Sequence, residues 1–137
     1  MLDIKQQTTE DLDFIIAQAQ AELEIMAGSC LWFTGSAGFL GYYATKAIHQ
    51  FNSFQPVNRR IRLLAIDNYM RGVPDWLSEI ESDEIKLVRH DIIEPIPLDW
   101  PQAQFIVHAA SIASPIVYRK YPLETIDANV TGLRRFL

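Results

Sequence analysis

At 137 residues, 49% hydrophobic and 21% charged, the chain has the size and composition of one globular domain with a real core, which excludes a disordered polymer. Its net charge of −5, with no block of basic residues, argues against nucleic acid as a partner. A single cysteine excludes an intramolecular disulfide and suits a reducing compartment; with no membrane-length apolar run and no secretory signal, a cytoplasmic protein with no membrane partner is expected.

Residues 1–28 read as an amphipathic helical extension. Thr8 and Asp11 have the spacing of a capping box, Leu12, Ile15, Ile16, Ala19, Leu23 and Met26 recur at helical intervals, and Gly28-Ser29 supplies the stop. The stripe can pack on its own domain or on a second subunit.

Residues 29–137 form the second unit, and the glycine stretch organises it. Cys30-Leu31-Trp32-Phe33 is an unbroken apolar run, as a strand buried on both faces shows. Thr34-Gly35-Ser36-Ala37-Gly38-Phe39-Leu40-Gly41 follows, and then Leu40, Ala44, Ala47, Ile48 and Phe51 fall on one helical face. Strand, glycine turn and helix together make a phosphate cradle: Gly35 permits the tight turn, Gly38 lets backbone amides approach a pyrophosphate at the helix N-terminus, and Gly41 lets the helix lie close to the strand.

The first helix ends near Phe51-Asn52, and a polar loop from Ser53 to Arg60 leads to a second strand, Ile61 to Ile66, closing in Asp67-Asn68. A carboxylate there can accept hydrogen bonds from the adenosine ribose hydroxyls; the competing reading is an ordinary turn or cap residue. Its charge opposes a 2′-phosphate and so favours NAD over NADP, an argument that Arg71 weakens. A turn at Gly72-Val73-Pro74 and a short helix from Asp75 to Ile80 precede the third strand, Ile85 to Arg89, which is followed by Asp91-Ile92.

Pro95, Pro97 and Pro101 stiffen the next connection. Gln104 to Ala110 is the fourth strand, where small Ala109 and Ala110 leave room for a cofactor and His108 is either turned toward it or a satisfied core histidine. Ser111 to Pro115 reads as loop. A final helix runs from about Pro122 with Ile126, Val130, Leu133 and Leu137 on one face, and Gly132 inside it, about 1 kcal/mol worse than alanine, implies close packing on a neighbour. His49, His90 and His108 lack metal-ligand spacing, so no metal site is expected; Ser111 and Ser114 lack the setting of a nucleophile.

Thr34 to Gly41 resembles the T-G-x-x-G-[FY]-[LIV]-G signature of the extended short-chain dehydrogenase/reductase family, which includes nucleotide-sugar epimerases, dehydratases and decarboxylases. Asp67-Asn68 resembles the pair after that family's second strand, and Asp91-Ile92 the Asp-aliphatic pair that approaches adenine. His108 to Tyr118 is similar to the H-L-A-S-P-A-S-P-x-x-Y segment of UDP-glucuronate decarboxylases, departing at Ala109 and Ile112. Asp127 to Gly132 looks like the N-V-x-G-T helix motif, with Leu133 replacing the threonine.

The resemblance implies a Rossmann-type doubly wound parallel sheet of order 3-2-1-4, NAD as cofactor, a nucleotide sugar as substrate of the parent enzyme, and a homo-oligomer, a dimer. It places Gly35, Ser36, Ala37, Gly38, Phe39, Leu40, Gly41, Asp67, Asn68, Asp91, Ile92, His108, Ala109, Ala110 and Ser111 at the cofactor. The family's chemistry uses Tyr-x-x-x-Lys, but Tyr118 is followed by Pro122 at the lysine position and Tyr121 by Thr125. No catalytic residue is therefore assigned, and the chain reads as the N-terminal, cofactor-binding part of a longer enzyme, inactive alone. A non-catalytic NAD-binding or interaction module is the alternative.

Overall fold

The computed structural model describes residues 3–137. Four parallel strands, β1 (Cys30–Thr34), β2 (Arg62–Asp67), β3 (Ile85–Arg89) and β4 (Phe105–His108), form one sheet in the order β3-β2-β1-β4. Side chains alternate between faces, so the register divides the core in two. Leu31, Phe33, Leu63 and Ala65 join one cluster; Cys30, Trp32, Leu64 and Ile66 join the other. Every residue of β1 is buried, which explains its unbroken apolar run.

The first face is covered by α1 (Ile4–Gln18), α2 (Gln20–Met26) and α3 (Phe39–Ser53). Helix α1 begins upstream of the expected capping box: the Gln7 amide bonds the Asp3 carbonyl, so Thr8 and Asp11 sit in the body of the helix and do not start it. Leu12 and Leu23 are buried, and Ile16, Ala19 and Met26 pack on the cluster that holds Leu31 and Phe33. The stripe thus packs on the chain's own sheet and α3, where Gln50 also donates to Asp13 (2.6 Å).

On α3 the inward face is Gly41, Thr45, Ala47, Ile48, Phe51 and Asn52. Leu40, expected on that face, is 69% exposed, and the neighbouring Gly41 takes the inward position, pressed against the backbone of Gly35 and Ser36. Asn52 ends the helix and satisfies both ends of its buried amide on Ile61, donating to the carbonyl (2.9 Å) and accepting from the N–H (2.8 Å). The connection from β2 to β3 carries only a 3₁₀ turn, Asp75–Glu79, whose Leu77 enters the core with Ile80.

Arg60, just before β2, donates to Glu84, just before β3 (2.8 Å), and holds its carboxyl below the ordinary value. A lowered folded-state pKa gives stability that is complete above the unfolded value and is lost as pH falls through the folded one. Arg60→Ala should therefore flatten the acid limb of stability, measured by urea melts across acid pH. Superimposable limbs would show that the pair contributes nothing.

The other face is covered by the proline-rich connection and the C-terminal helices. Trp32 donates its indole N–H to the Pro101 carbonyl (3.1 Å) and meets Trp100 edge-on. Of the expected Ser111–Pro115 loop, residues 111–114 are irregular, and Pro115 instead starts a helix, α4 (Pro115–Lys120), as a first-turn proline whose missing N–H costs nothing. The expected single helix is instead α5 (Pro122–Ile126), a π-helical turn (Asp127–Gly132) and α6 (Leu133–Phe136). The residues facing the sheet are Ala128, Gly132 and Phe136; the predicted stripe of Ile126, Val130, Leu133 and Leu137 is exposed. Small residues let the segment lie close: a Cβ on Gly132 would come within 2.8 Å of Ile92 Cδ1.

Candidate functional site

All four strands are parallel, so Thr34, Asp67, Arg89 and His108 end on one edge of the sheet. The strand order reverses between β1 and β4, and the glycine loop sits at that reversal, the place where open α/β sheets bind ligands.

Gly35 adopts φ +77°, and a Cβ there would lie 2.7 Å from the Ala110 nitrogen and 2.8 Å from the Ala109 carbonyl. The loop is held between the ends of β2 and β4. Gly35 and Ser36 donate their amides to the Ile66 carbonyl (2.9 and 3.2 Å), Ala37 donates to Asp67 Oδ2 (2.9 Å), and Gly38 donates to the Gly35 carbonyl (3.1 Å). The helical ladder starts with Tyr42 on Gly38 (2.9 Å). Among the described residues this leaves the first-turn amides of Phe39, Leu40 and Gly41 without a carbonyl partner, and no side chain caps the helix. Three open donors thus stand at the positive end of a 15-residue helix. Residues 35–38 shape the loop through their own hydrogen bonds, and the amides of residues 39–41 stay open.

On the β2 side, Asp67 also accepts the Tyr69 amide on Oδ1 (2.8 Å). Tyr69 has φ +54°, uncommon for a residue with a side chain. Asn68 donates to Asp91 Oδ2 (3.3 Å), which brings three of the sequence-predicted polar residues together. The Ile92 side chain is buried in the cluster with Cys30 and Trp32 and lies close against Gly132. Arg89 lies over the Tyr69 ring (5.2 Å), and burial, then the Asp67 carboxylate, push the Tyr69 phenol up against the opposing pull of Arg89.

On the β4 side the fully buried Thr34 is the organising residue, one that the sequence reading left out. Its hydroxyl oxygen accepts the amides of Ala109 and Ala110 (both 3.2 Å) and lies 3.0 Å from His108 Nδ1. The Ala109 amide is shared with the Thr34 backbone carbonyl (3.1 Å), so Thr34 fixes the end of β4 through both its main chain and its side chain. His108 Nε2 is buried with no partner among the described residues, as is the Ser36 hydroxyl. Ala109 and Ser111 are exposed beside them. Cys30, at the far end of β1, is buried, and burial pushes its thiol up, so it stays a packing residue.

A groove lies elsewhere, between α1 and α3, lined by Asp13, Ile16, Phe51 and Phe54, and it gathers no cluster of titratable groups. Among the described residues no three His, Cys, Asp or Glu side chains are placed to hold a metal, and no helix is long and apolar enough to cross a membrane.

The sheet order, the glycine loop at the reversal and the acidic residue after β2 define a Rossmann-type fold. No family model matches the sequence. UDP-glucuronic acid decarboxylase 6 of Arabidopsis thaliana is 35% identical over 105 residues, which cover 76% of this chain and 28% of that protein. An epimerase from Methanothermobacter thermautotrophicus superposes with a TM-score of 0.61 at 17% identity, over 88% of this chain and 34% of its own. UDP-N-acetylglucosamine 4-epimerase from Methanobrevibacter ruminantium, solved with UDP-N-acetylmuramic acid, gives 0.56 at 19% identity, over 81% and 34%. Over the matched region the chain is similar to these enzymes and resembles the extended short-chain dehydrogenases/reductases of the epimerase/dehydratase kind, and it spans little more than a quarter of the length of that curated relative.

Proposed function

We propose that the chain is the NAD-binding part of an enzyme that decarboxylates, dehydrates or epimerises a nucleotide sugar through a transient keto sugar. The observation that carries this reading is the trio of open amides at Phe39, Leu40 and Gly41, next to the Asp67 carboxylate at the strand-order reversal. The residues fit the cofactor. The three amides would receive its pyrophosphate charge, and Asp67 keeps acceptor sites for ribose hydroxyls beyond the two backbone bonds it makes. Asp91, Asn68 and the Ile92 backbone would face the adenine. His108, Ala109, Ala110 and Ser111 would border the nicotinamide half.

Bound NAD would supply a hydride acceptor that can return the hydride later in the cycle. This chain's part is to orient the cofactor and neutralise its charge; neither Tyr118 nor Tyr121 has the lysine that the chemistry needs, so these residues alone bind without turnover. Calorimetry on the chain should show ADP and NAD binding with similar affinity and nicotinamide mononucleotide not binding, because the adenosine half holds the cofactor. Absence of ADP binding to folded protein would overturn the reading.

A further inference from the structure

We infer that Asp67 is a positioning residue for the glycine loop and not only a partner for a ribose. The second half of the test below rests on the dinucleotide reading; the clamp itself does not.

The Asp67 carboxylate uses both oxygens on backbone amides from two separate segments, Oδ2 on Ala37 (2.9 Å) and Oδ1 on Tyr69 (2.8 Å). These are charge-assisted bonds, stronger than neutral ones. On the loop side, Ala37 follows Gly35 and Ser36, whose amides share the Ile66 carbonyl next door (2.9 and 3.2 Å). Three successive loop amides are therefore tied to the last two residues of β2. On the turn side, the Tyr69 amide bond stabilises a residue at φ +54°, and the turn carries Asn68 to Asp91, two residues past the end of β3 (3.3 Å). The Asp67 backbone carbonyl completes the junction by accepting the His90 amide (3.0 Å). One side chain thus joins the loop after β1 and the turn after β2, and through Asn68 the segment after β3. The aim of the Phe39–Gly41 amides depends on it, since they continue directly from the clamped segment.

The test is Asp67→Asn, which keeps the size of the side chain but offers one carbonyl oxygen where two amides need two. Without nucleotide, the Ala37 or Tyr69 amide should exchange hydrogen about tenfold faster, while amides within β2 keep their protection. Unchanged exchange at both overturns the proposal. Binding of 2′,3′-dideoxy-ADP, which has no ribose hydroxyls, should also weaken about tenfold in the variant. A ribose-only role leaves that affinity unaltered, and this result too overturns the clamp. If wild-type protein binds neither ADP nor the dideoxy form, the dinucleotide reading falls and exchange alone decides the clamp. Should the variant not fold, a through-hydrogen-bond scalar coupling between the Ala37 amide nitrogen and the Asp67 carboxyl carbon in the wild-type chain decides it, its absence counting against.

Discussion

Gly35→Ala should cost more than about 3 kcal/mol and lower the melting temperature by about 10 °C or more. A side chain at φ +77° carries an intrinsic penalty of about 1–2 kcal/mol. The added Cβ would also stand 2.7 Å from the Ala110 nitrogen and 2.8 Å from the Ala109 carbonyl, which are backbone atoms and cannot rotate away. Relief would require β4 to move off β1. Gly38→Ala is the control: its φ is −80° and the new Cβ would meet only the Gly35 carbonyl, at 3.3 Å. It should cost less than about 1 kcal/mol. Thermal melts followed by circular dichroism compare the two, and equal losses would mean that the loop is not pressed against β4.

Phe136→Ala should cost about 3–5 kcal/mol, and Leu133→Ala less than about 1 kcal/mol. Phe136 is 4% exposed, meets Trp32 edge-on at 5.9 Å and flanks His108 at 6.3 Å, whereas Leu133 is 36% exposed. Simple helical spacing from Pro122 makes the opposite choice, placing Leu133 inward. Denaturant melts on the two variants read out which register the C-terminal segment adopts. A larger loss for Leu133 would contradict the π-helical turn.

Most of the sheet was legible because β1, β2 and β3 are marked by short apolar runs with polar stops, and the glycine spacing names both turn and helix. Asp67, Asn68 and Asp91 were marked in the sequence by their places at or just past a strand end, and the structure brings Asn68 within hydrogen-bond distance of Asp91. The C-terminal register was not legible, since one extra residue per turn at Asp127–Gly132 changes which side chains point inward without leaving a periodic trace. That the Ile92 side chain packs against Gly132 was not legible either, because an aliphatic residue after Asp91 suits a ligand or a core equally. Thr34 went unassigned because its importance lies in bonds to residues far along the chain, His108, Ala109 and Ala110. Asp67 was read as a ribose partner with an ordinary turn role as the competing reading; its bond to the Tyr69 amide is such a turn, while its bond to Ala37, thirty residues away, could not be seen in a linear sequence.

The two faces of the sheet draw on different lengths of the chain, and this has a consequence for synthesis. The cluster around Leu31, Phe33 and Leu63 takes its buried members from Leu23 to Ile85, with the partly buried Phe105 added from β4. The cluster around Trp32 and Leu64 closes only with Ile92, Trp100 and finally Phe136. As the chain leaves the ribosome, the helical face can consolidate while Trp32, Leu64 and Ile66 still look into water. The nascent chain thus passes through a stage with one finished side and one adhesive side, and it is there that a chaperone or a neighbouring nascent chain would find something to hold.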